Sequence, residues 1–492
     1  MRVRLALGLV VAMLASACSQ SLDVSTPDVA PLDTTAVEPG DATPVPPTPV
    51  PPTPVPPTPV PPTPGPTPVP PTPVPPTPEP VPQLSFDDAI RLSQLDIEAY
   101  WERRLPEVYG ISFEPVAAFD GYFPSDPTTL PSCGGVVAPV VEYEENAFYC
   151  PFDDAISWDN EVLFPSLYST YGDFAVALVL AHEYGHAIQE RARELGPTII
   201  IELQADCLAG AWAGSLARDE SDNLVLVDDD LQEAIGGYLV FRDPLGTPAE
   251  DPSAHGSGFD RITAFFDGFN NDAEACVDYD DDPPPIADID LTPEDLDTGG
   301  DLELEILQPL VVEELESYWT PLLEASFDVT YVAPTLQPYG PDTELPACGG
   351  EVLDVELYRE SAFFCTADNA LMWDDEVLVT VLWTEVGDGA SMYVLVNISA
   401  QSALVQADFA SDAADFSLLA ECLTGSFFAD LFLGNLDELF ISAGDLDELL
   451  IGVSRYTPAL PDANGRSIEG IAERIGAIRR GFDNGFSTCV GG

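Results

Sequence analysis

Positive charge and histidine are what this sequence has least of. Its 492 residues include 85 aspartates and glutamates but only 16 basic residues, all of them arginine, and the formal net charge is −69. A chain with this balance repels nucleic acid and anionic lipid head groups, so we expect no nucleic-acid partner. A hydrophobic content of 46% nevertheless argues against general disorder, and the length allows two or three domains with full cores.

Long hydrophobic runs are also scarce. The apolar run 5–14 follows Arg2 and Arg4 and is too short to cross a bilayer as a permanent helix, which is typical of an export signal. The small residues after it end at Cys18 and resemble a bacterial lipobox, so 1–18 is predicted to be a lipoprotein signal peptide with Cys18 lipidated. The alternative is ordinary cleavage beside an unrelated cysteine. Lipidation would anchor the protein to the cell membrane, on its extracytoplasmic face.

Proline dominates the next segment. The sequence "PPTPVPPTPV" recurs through 46–77, and proline fixes φ and removes backbone donors. Residues 19–83 are therefore predicted to be an extended, polyproline-II-like spacer between the membrane and the globular part of the chain.

The remaining sequence contains an internal repeat. Trp158 and Trp373 are 215 residues apart, and so are three pairs of cysteines. Composition alone does not produce such a register, so we predict two domains of one fold in tandem. Their predicted bounds are 84–279 and 303–492, joined by an acidic linker, 280–302.

The eight cysteines other than Cys18 agree with export, because an even number outside the cytoplasm is typical of disulfides. The four in each half allow three pairings, and the repeat requires only that both halves use the same one. One pair brackets a stretch that can form a hairpin, and a second would fasten a long helix to the end of its domain. We therefore expect the bridges Cys133–Cys150, Cys207–Cys276, Cys348–Cys365 and Cys422–Cys489.

Helices dominate the predicted secondary structure. Helical periodicity runs through 86–105, 173–195 and 198–218, whereas the valine-rich run 136–143 is predicted to be a strand. Because helices and strand-like runs are segregated along the chain, the predicted class is α+β with helices dominating.

The most specific functional motif holds two of the three histidines. His182 and His186 are four residues apart on one predicted helix, so both imidazoles can reach one metal ion. Glu183 lies toward the open side of that metal, where it can take a proton from water, and this is the chemistry of the H-E-x-x-H pattern. The alternative is a helix whose histidines only cap or pack.

A catalytic zinc needs a third protein ligand, and the next helix offers one. Glu202 is predicted to bind the Zn²⁺ ion, and Asp206, on the same helix face, to accept a hydrogen bond from a ligand imidazole. The alternatives are a surface carboxylate at Glu202 and a plain salt bridge at Asp206. Asp173, which starts the metal-binding helix, is predicted to be its N-cap rather than a ligand.

The third histidine, His255, has two possible roles. It could donate a hydrogen bond to the oxyanion that forms during hydrolysis, or it could make a structural contact between a loop and a helix. A three-histidine zinc site, with His255 in place of Glu202, is also open.

Taken together, these motifs resemble the bacterial putative neutral zinc metallopeptidase family. The resemblance covers about residues 86–279 and implies a zincin-like peptidase domain. It also implies that His182, His186 and Glu202 bind zinc and that Glu183 is the general base. The segments that carry the resemblance are "FYCP", "GDFAVALVLAHEYGHAIQ", "ELQADCLAGAWAG" and "AHGSGFDRITAFFDGF".

The second copy keeps its cysteines and tryptophan but not the site. Since every metal ligand and the base are replaced together, we predict a folded, metal-free and degenerate domain. The replacements, at a spacing of 215, are Asn397 for His182, Ile398 for Glu183, Gln401 for His186, Ser417 for Glu202 and Glu421 for Asp206, with Ile468 for His255 at a spacing of 213.

The predicted function is that of a lipid-anchored, extracytoplasmic zinc metallopeptidase acting on protein or peptide substrates. Water activated by zinc would attack the peptide bond, with Glu183 as general base. One alternative is a non-catalytic cell-surface protein that binds peptide or envelope components, and another is a metal-assisted hydrolase of a non-peptide bond. The sequence leaves the oligomeric state open.

Overall fold

A computed structural model describes most of the chain after the predicted spacer. The signal peptide 1–18 with Cys18, nearly all of the spacer 19–83, parts of the linker 280–302 and Ile468 lie outside the described residues. These residues are 83–251, 254–279, 283–287, 289, 298–340, 347–352, 358–411, 413, 415–436, 439–457 and 470–491.

Two central helices of the first half are joined by a short connection. The first ends where Arg193 adopts a left-handed conformation, with φ 65°, and Pro197 is the N-cap of the second. Because the connection is only 193–197, the two helices lie antiparallel and in contact. The helices of this half are α1 (Phe86–Val108), α2 (Leu163–Thr170), α3 (Asp173–Ala192), α4 (Thr198–Ala217), α5 (Asp228–Val240) and α6 (Gly258–Asn271).

A small sheet lies beside these helices. Its strands are β1 (Ala118–Tyr122), β2 (Ala147–Cys150) and β3 (Ala155–Asp159), in the order β1-β3-β2. The central strand β3 is parallel to β1 and antiparallel to β2, and all five of its residues are buried. Strand β2 is therefore an edge strand, and one of its sides has backbone groups that the sheet does not pair.

The strand predicted at 136–143 is wrong. Within it, 140–142 forms a short 3₁₀ helix after Pro139, and the valines at 136, 137, 140 and 141 are exposed. A strand needs one buried face, and this valine-rich segment has none that packs on the core.

The second half has a sheet with the same strand order and directions. Its central strand, Ala370–Asp374, is parallel to Thr335–Tyr339 and antiparallel to Ala362–Cys365. The strands are β4 (Thr335–Tyr339), β5 (Ala347–Cys348), β6 (Glu351–Val352), β7 (Ala362–Cys365) and β8 (Ala370–Asp374). The helices are α7 (Leu304–Phe327), α8 (Thr380–Glu385), α9 (Asp388–Gln406), α10 (Phe416–Phe432), α11 (Asp445–Arg455), α12 (Ile471–Asn484) and α13 (Phe486–Val490). The predicted class, a helix-rich α+β protein, is confirmed.

Four disulfides close the two halves internally. In the first half, one bridge ties β2 to the preceding loop and another ties α4 to the segment after α6. The bridges are Cys133–Cys150, Cys207–Cys276, Cys348–Cys365 and Cys422–Cys489, which are the pairs chosen from the sequence.

Helix α4 is the centre of the first half. Among the described residues it is the one helix with the length and apolar composition of a membrane span, and 89% of its most apolar window is buried inside the protein. Its backbone touches that of α6, because a Cβ at Gly210 would lie 1.8 Å from the Phe265 carbonyl oxygen. A side chain there would push the two helices apart.

The two halves also pack against each other, and their described residues belong to one compact unit. The ring centroids of Phe259, on α6, and Phe482, on α12, are 4.9 Å apart. Arg242 forms an ion pair of 2.9 Å with Asp447, on α11. The start of α6 is thus held partly by the second half.

Gly210→Ala should lower the free energy of unfolding by about 1–3 kcal/mol, because the new methyl group meets backbone atoms that cannot rotate away. Gly196→Ala is the matched control, since its methyl group would meet only side-chain atoms of Ile200 and Ile201, at 3.8–3.9 Å. Denaturant unfolding of the full chain measures both. Equal stabilities of the two variants would contradict the close approach of α4 and α6.

Candidate metal centre

The candidate site lies where α3 and α4 approach most closely. A Cβ at Gly185, on α3, would lie 2.9 Å from the Cα of Ala205, on α4. The absence of a side chain at Gly185 therefore lets the two helix backbones touch. His182 and His186 on α3 and Glu202 on α4 lie around this contact.

Three side chains converge there. The Nε2 atoms of His182 and His186 are 3.1 Å apart. Glu202 places Oε2 at 3.2 Å from His182 Nε2 and Oε1 at 3.5 Å from His186 Nε2. Tetrahedral zinc with ligand distances of 2.0–2.1 Å separates its ligand atoms by about 3.3 Å. These separations lie on both sides of that value, although His182 and His186 approach different oxygens of Glu202, so the three side chains fit a zinc ion.

His182 is oriented by a buried carboxylate. Its Nδ1 donates to Asp206 Oδ1 at 2.6 Å, and Asp206 is fully buried. Arg261, on α6, donates to both oxygens of Asp206, at 2.8 and 3.0 Å, and to the Phe241 carbonyl oxygen at 2.7 Å. With Nδ1 protonated and bound, Nε2 of His182 is left to face the site.

His186 is oriented by an amide. Its Nδ1 lies 2.8 Å from Gln189 Oε1. The Gln189 nitrogen donates to the Ile201 carbonyl oxygen at 2.7 Å and to Gln204 at 2.9 Å. Since a carbonyl only accepts, the amide orientation is fixed, and Nδ1 of His186 must donate. Its Nε2 therefore also presents a lone pair to the site.

The charges around the cluster favour a protonated His182 and ionised Glu202 and Asp206. Burial alone would lower the pKa of His182, but the Asp206 carboxylate outweighs it and raises the pKa to about 10. Burial alone would raise the pKa of Glu202, but hydrogen bonds with both imidazoles hold it well below its usual range. The Arg261 guanidinium likewise overcomes burial and lowers the pKa of Asp206.

Glu183 is beside the cluster and is not engaged by it. Its side chain is buried, and Oε2 has no hydrogen-bond partner among the described residues. Burial raises the pKa of this carboxyl, although the two imidazoles oppose the shift. A buried carboxylate with a raised pKa in a cleft is suited to accept and return a proton.

The cluster opens into a cleft of about 710 Å³. Its walls come from α3, the edge strand β2 and the segments around α5 and α6. Ala147, Phe148 and Tyr149 of β2 line it together with His182, His186, Glu183 and Glu202. The strand edge that the sheet leaves unpaired thus lies next to the candidate metal ligands, and the Tyr149 backbone N–H on this strand donates to Glu183.

His255 lines the same cleft but not the cluster. Its side chain is 49% exposed, and Asp243 holds it through the backbone N–H at 2.7 Å and through Nδ1 at 3.4 Å. Among the described residues of the first half, the histidines that converge with a carboxylate are His182 and His186, with Glu202. The structure does not bring His255 into the place of Glu202.

The prediction that Asp173 is the N-cap of α3 is wrong. That position is Gly172, and Asp173 is the first helical residue. Its Oδ2 accepts a hydrogen bond from the Leu84 backbone N–H at 2.8 Å. The Asp173 carboxylate thus accepts a hydrogen bond from the segment before α1 and does not cap the start of α3.

Sequence reasoning missed two positioning residues, Arg261 and Gln189. Arg474 follows Arg261 by 213 residues, as the predicted repeat requires, and this spacing was the available signal for Arg261. Gln189 is three residues after His186, and this spacing places both on one helix face. Neither position identifies its partner without the fold.

The corresponding positions of the second half form a buried polar cluster. Asn397 donates to Glu421 at 3.1 Å, and Gln401 donates to the Asn397 side-chain oxygen at 3.1 Å. Arg474 donates to Glu421 at 2.8 Å, as Arg261 does to Asp206. Asn397 and Gln401 are each 1% exposed, so these amides replace the imidazoles inside the protein.

Comparison with known proteins agrees with this geometry. Residues 133–279 match the family described as putative neutral zinc metallopeptidase. The chain is similar to the uncharacterized protein Rv2575 of Mycobacterium tuberculosis, at 33% identity over 152 residues, which cover 26% of this chain and 52% of that protein. It is also similar to the uncharacterized protein YpfJ of Escherichia coli, at 30% identity over 148 residues, which cover 25% and 50%.

The chain spans about half the length of the curated relatives it matches. No solved structure matches it. The matched segment contains the three converging side chains and Glu183, Asp206, His255 and Arg261. The candidate site of this chain therefore lies inside the segment that is similar to the family described as putative neutral zinc metallopeptidase.

Proposed function

We propose that this chain is a zinc-dependent metallopeptidase whose active site is the cleft of the first half. The observation that carries the proposal is the convergence of His182, His186 and Glu202 beside a buried, unengaged Glu183 oxygen. The similarity of residues 133–279 to that family supports the metal and the class of reaction.

Zinc at this position would acidify a water molecule and polarise the carbonyl of the scissile bond. The protein's own groups do the rest. Glu183 accepts the proton of the attacking water and returns it to the leaving amine. Asp206 and Gln189 hold the two imidazoles so that Nε2 of each faces the cleft. His255, at the cleft wall, is available to donate a hydrogen bond to the developing oxyanion.

The edge strand supports a peptide as the substrate. An extended peptide can add to a free strand edge through main-chain hydrogen bonds that do not depend on sequence. Strand β2 pairs with β3 on one side only, and its residues line the cleft. A peptide held there would pass next to the candidate zinc ligands and Glu183.

Glu183 also favours an enzyme over a binding protein as the function of the site. A structural zinc site is closed by four protein ligands and needs no base. Here three protein atoms converge, and the buried acid next to them opens into a cleft. Hydrolysis accounts for both features, whereas peptide binding alone accounts for neither.

The second half is, in this proposal, a degenerate copy without metal. Asn397, Gln401 and Ser417 replace the ligands, and Ile398 replaces the base. Gln401 donates to Asn397, and Asn397 donates to Glu421, so hydrogen bonds between side chains take the place of the metal ligands between α9 and α10.

The proposal places the protein at the cell membrane, outside the cytoplasm, anchored through lipid at Cys18. The four disulfides support an oxidising compartment, where such bridges form and persist. The short apolar run 5–14 and the lipobox-like residues before Cys18 support export and anchoring.

Glu183→Gln should leave the zinc content unchanged and lower the hydrolysis of an unfolded protein by about 10²–10⁴-fold, because an amide cannot take the proton of water. Glu102→Gln, an exposed site on α1, removes the same charge and should leave the rate unchanged. Zinc analysis and turnover of the full chain are measured together. Near-normal turnover by Glu183→Gln would refute its role as the base.

Glu202→Gln should reduce the zinc bound from one ion per chain toward none at limiting zinc, because it removes the carboxylate that completes the ligand set. Ser417→Ala changes the corresponding position of the second half and should leave the bound zinc unchanged. Elemental analysis after dialysis measures both. Unchanged zinc in Glu202→Gln, or a loss in Ser417→Ala, would contradict the assignment.

A further inference from the structure

A separate cluster of carboxylates lies in the second half, away from the candidate zinc ligands in the chain. It consists of Asp301, Asp388 and Glu448, and we call it the acidic cluster. One oxygen from each of the three lies within 4.8 Å of the others. The three residues come from the segment before α7, the first turn of α9 and helix α11.

One member of the acidic cluster has an unsatisfied oxygen. Asp388 is 2% exposed, and its Oδ1 has no hydrogen-bond partner among the described residues. Its other oxygen, Oδ2, accepts from the Leu302 N–H at 2.8 Å. A buried carboxylate oxygen without a donor is costly, and a bound ion is one of the few ways to satisfy it.

Positive side chains do not offset the charge of the acidic cluster. In the part of the chain that the structure describes, no arginine forms an ion pair with Asp301, Asp388 or Glu448, and the sequence has no lysine. Backbone N–H groups hold the carboxylates in place, from Gly389 to Glu448 at 2.9 Å and from Asp388 to Asp301 at 3.0 Å. Asp445, on α11, adds a further buried carboxyl group next to Asp388, so several carboxyl groups lie together here, without an arginine or lysine between them among the described residues.

A similar cluster of carboxylates lies in the first half, although its third member, Asp230, is the counterpart of Asp445 and not of Asp301. In the first half, oxygens of Asp173, Asp230 and Glu233 lie within 4.8 Å of one another. Asp173 and Glu233 precede Asp388 and Glu448 by 215 residues each. The acidic residues at the start of the central helix therefore persist in the half where the zinc ligands are replaced. Their role does not depend on the zinc site.

We propose that Asp301, Asp388 and Glu448 bind one Ca²⁺ ion. Calcium takes carboxylate oxygens at 2.3–2.6 Å in flexible geometries, so two of its ligands can be up to about 5 Å apart. Magnesium needs shorter, near-octahedral contacts and keeps several waters. The ion satisfies Oδ1 of Asp388 and neutralises most of the local charge.

Calcium at the acidic cluster would fix α11 against α9, and α11 reaches the first half. Asp447, next to Glu448, accepts from the Phe259 N–H at the start of α6 at 2.6 Å and pairs with Arg242. The proposed ion therefore stabilises the contact between the two halves. This role is independent of the proposed peptidase activity.

Equilibrium dialysis of the full chain against Ca²⁺, with Mg²⁺ in excess, tests the proposal. Asp388→Asn and Glu448→Gln should each bind one Ca²⁺ ion fewer per chain than the wild type, and their thermal unfolding should lose the corresponding Ca²⁺-dependent rise. Glu316→Gln, exposed on α7, removes the same charge and should match the wild type. Equal zinc content and circular dichroism show that the variants fold. Equal Ca²⁺ stoichiometry in all four proteins would overturn the site.

Terbium provides a local readout, because the indole Nε1 of Trp383 donates to the Leu302 carbonyl oxygen at 2.8 Å, next to Asp301. Terbium in the acidic cluster should give tryptophan-sensitised emission that Ca²⁺ displaces. Trp383→Phe should lose most of this emission and keep Ca²⁺ binding, whereas Asp388→Asn should lose both. Emission from Asp388→Asn as strong as from Glu316→Gln would mean that the ion binds elsewhere and would overturn the proposal.

Discussion

The buried carboxylate of Asp206 is the constraint on which the site depends. The side chain, on α4, is fully buried next to α3 and α6, so its negative charge needs a positively charged partner. Arg261 donates to both oxygens of Asp206 and His182 donates to Oδ1, which ties α3, α4 and α6 together at one point. Without that pair, His182 would lose both its orientation and the negative charge that holds its proton on Nδ1.

The second half contains a similar buried ion pair without a histidine. Glu421 and Arg474 preserve the buried ion pair, at 2.8 Å. Tyr393 donates to the Glu421 oxygen that Arg474 binds, at 2.9 Å, and Asn397 donates to the other oxygen, at 3.1 Å. The carboxylate is therefore satisfied by neutral donors where the first half uses an imidazole. The packing of both halves includes this ion pair, whereas histidine is needed only for the proposed zinc site.

The sequence predicted the parts of the site that depend on spacing within one helix or on a short connection. His182 and His186 follow from helical periodicity, and the place of Glu202 follows from an antiparallel return. Arg261 was not assigned to the site, because its contact with Asp206 joins residues far apart in the chain and has no local pattern.

The errors have physical causes too. The segment 136–143 has strand composition, but it lacks a surface to bury its valines and contains Pro139. Asp173 has the residue type of an N-cap, but its carboxylate accepts a hydrogen bond from Leu84. In both cases a long-range contact, or its absence, decided against the local preference.

Anomalous diffraction at the zinc absorption edge, from crystals of the zinc-loaded full chain, tests the central claim most directly. The account predicts one strong peak in the first half, bonded to Nε2 of His182, Nε2 of His186 and a carboxylate oxygen of Glu202, with Glu183 facing the open side. A peak bonded to His255 in place of Glu202, a site closed by four protein ligands, or no peak between α3 and α4 would contradict it.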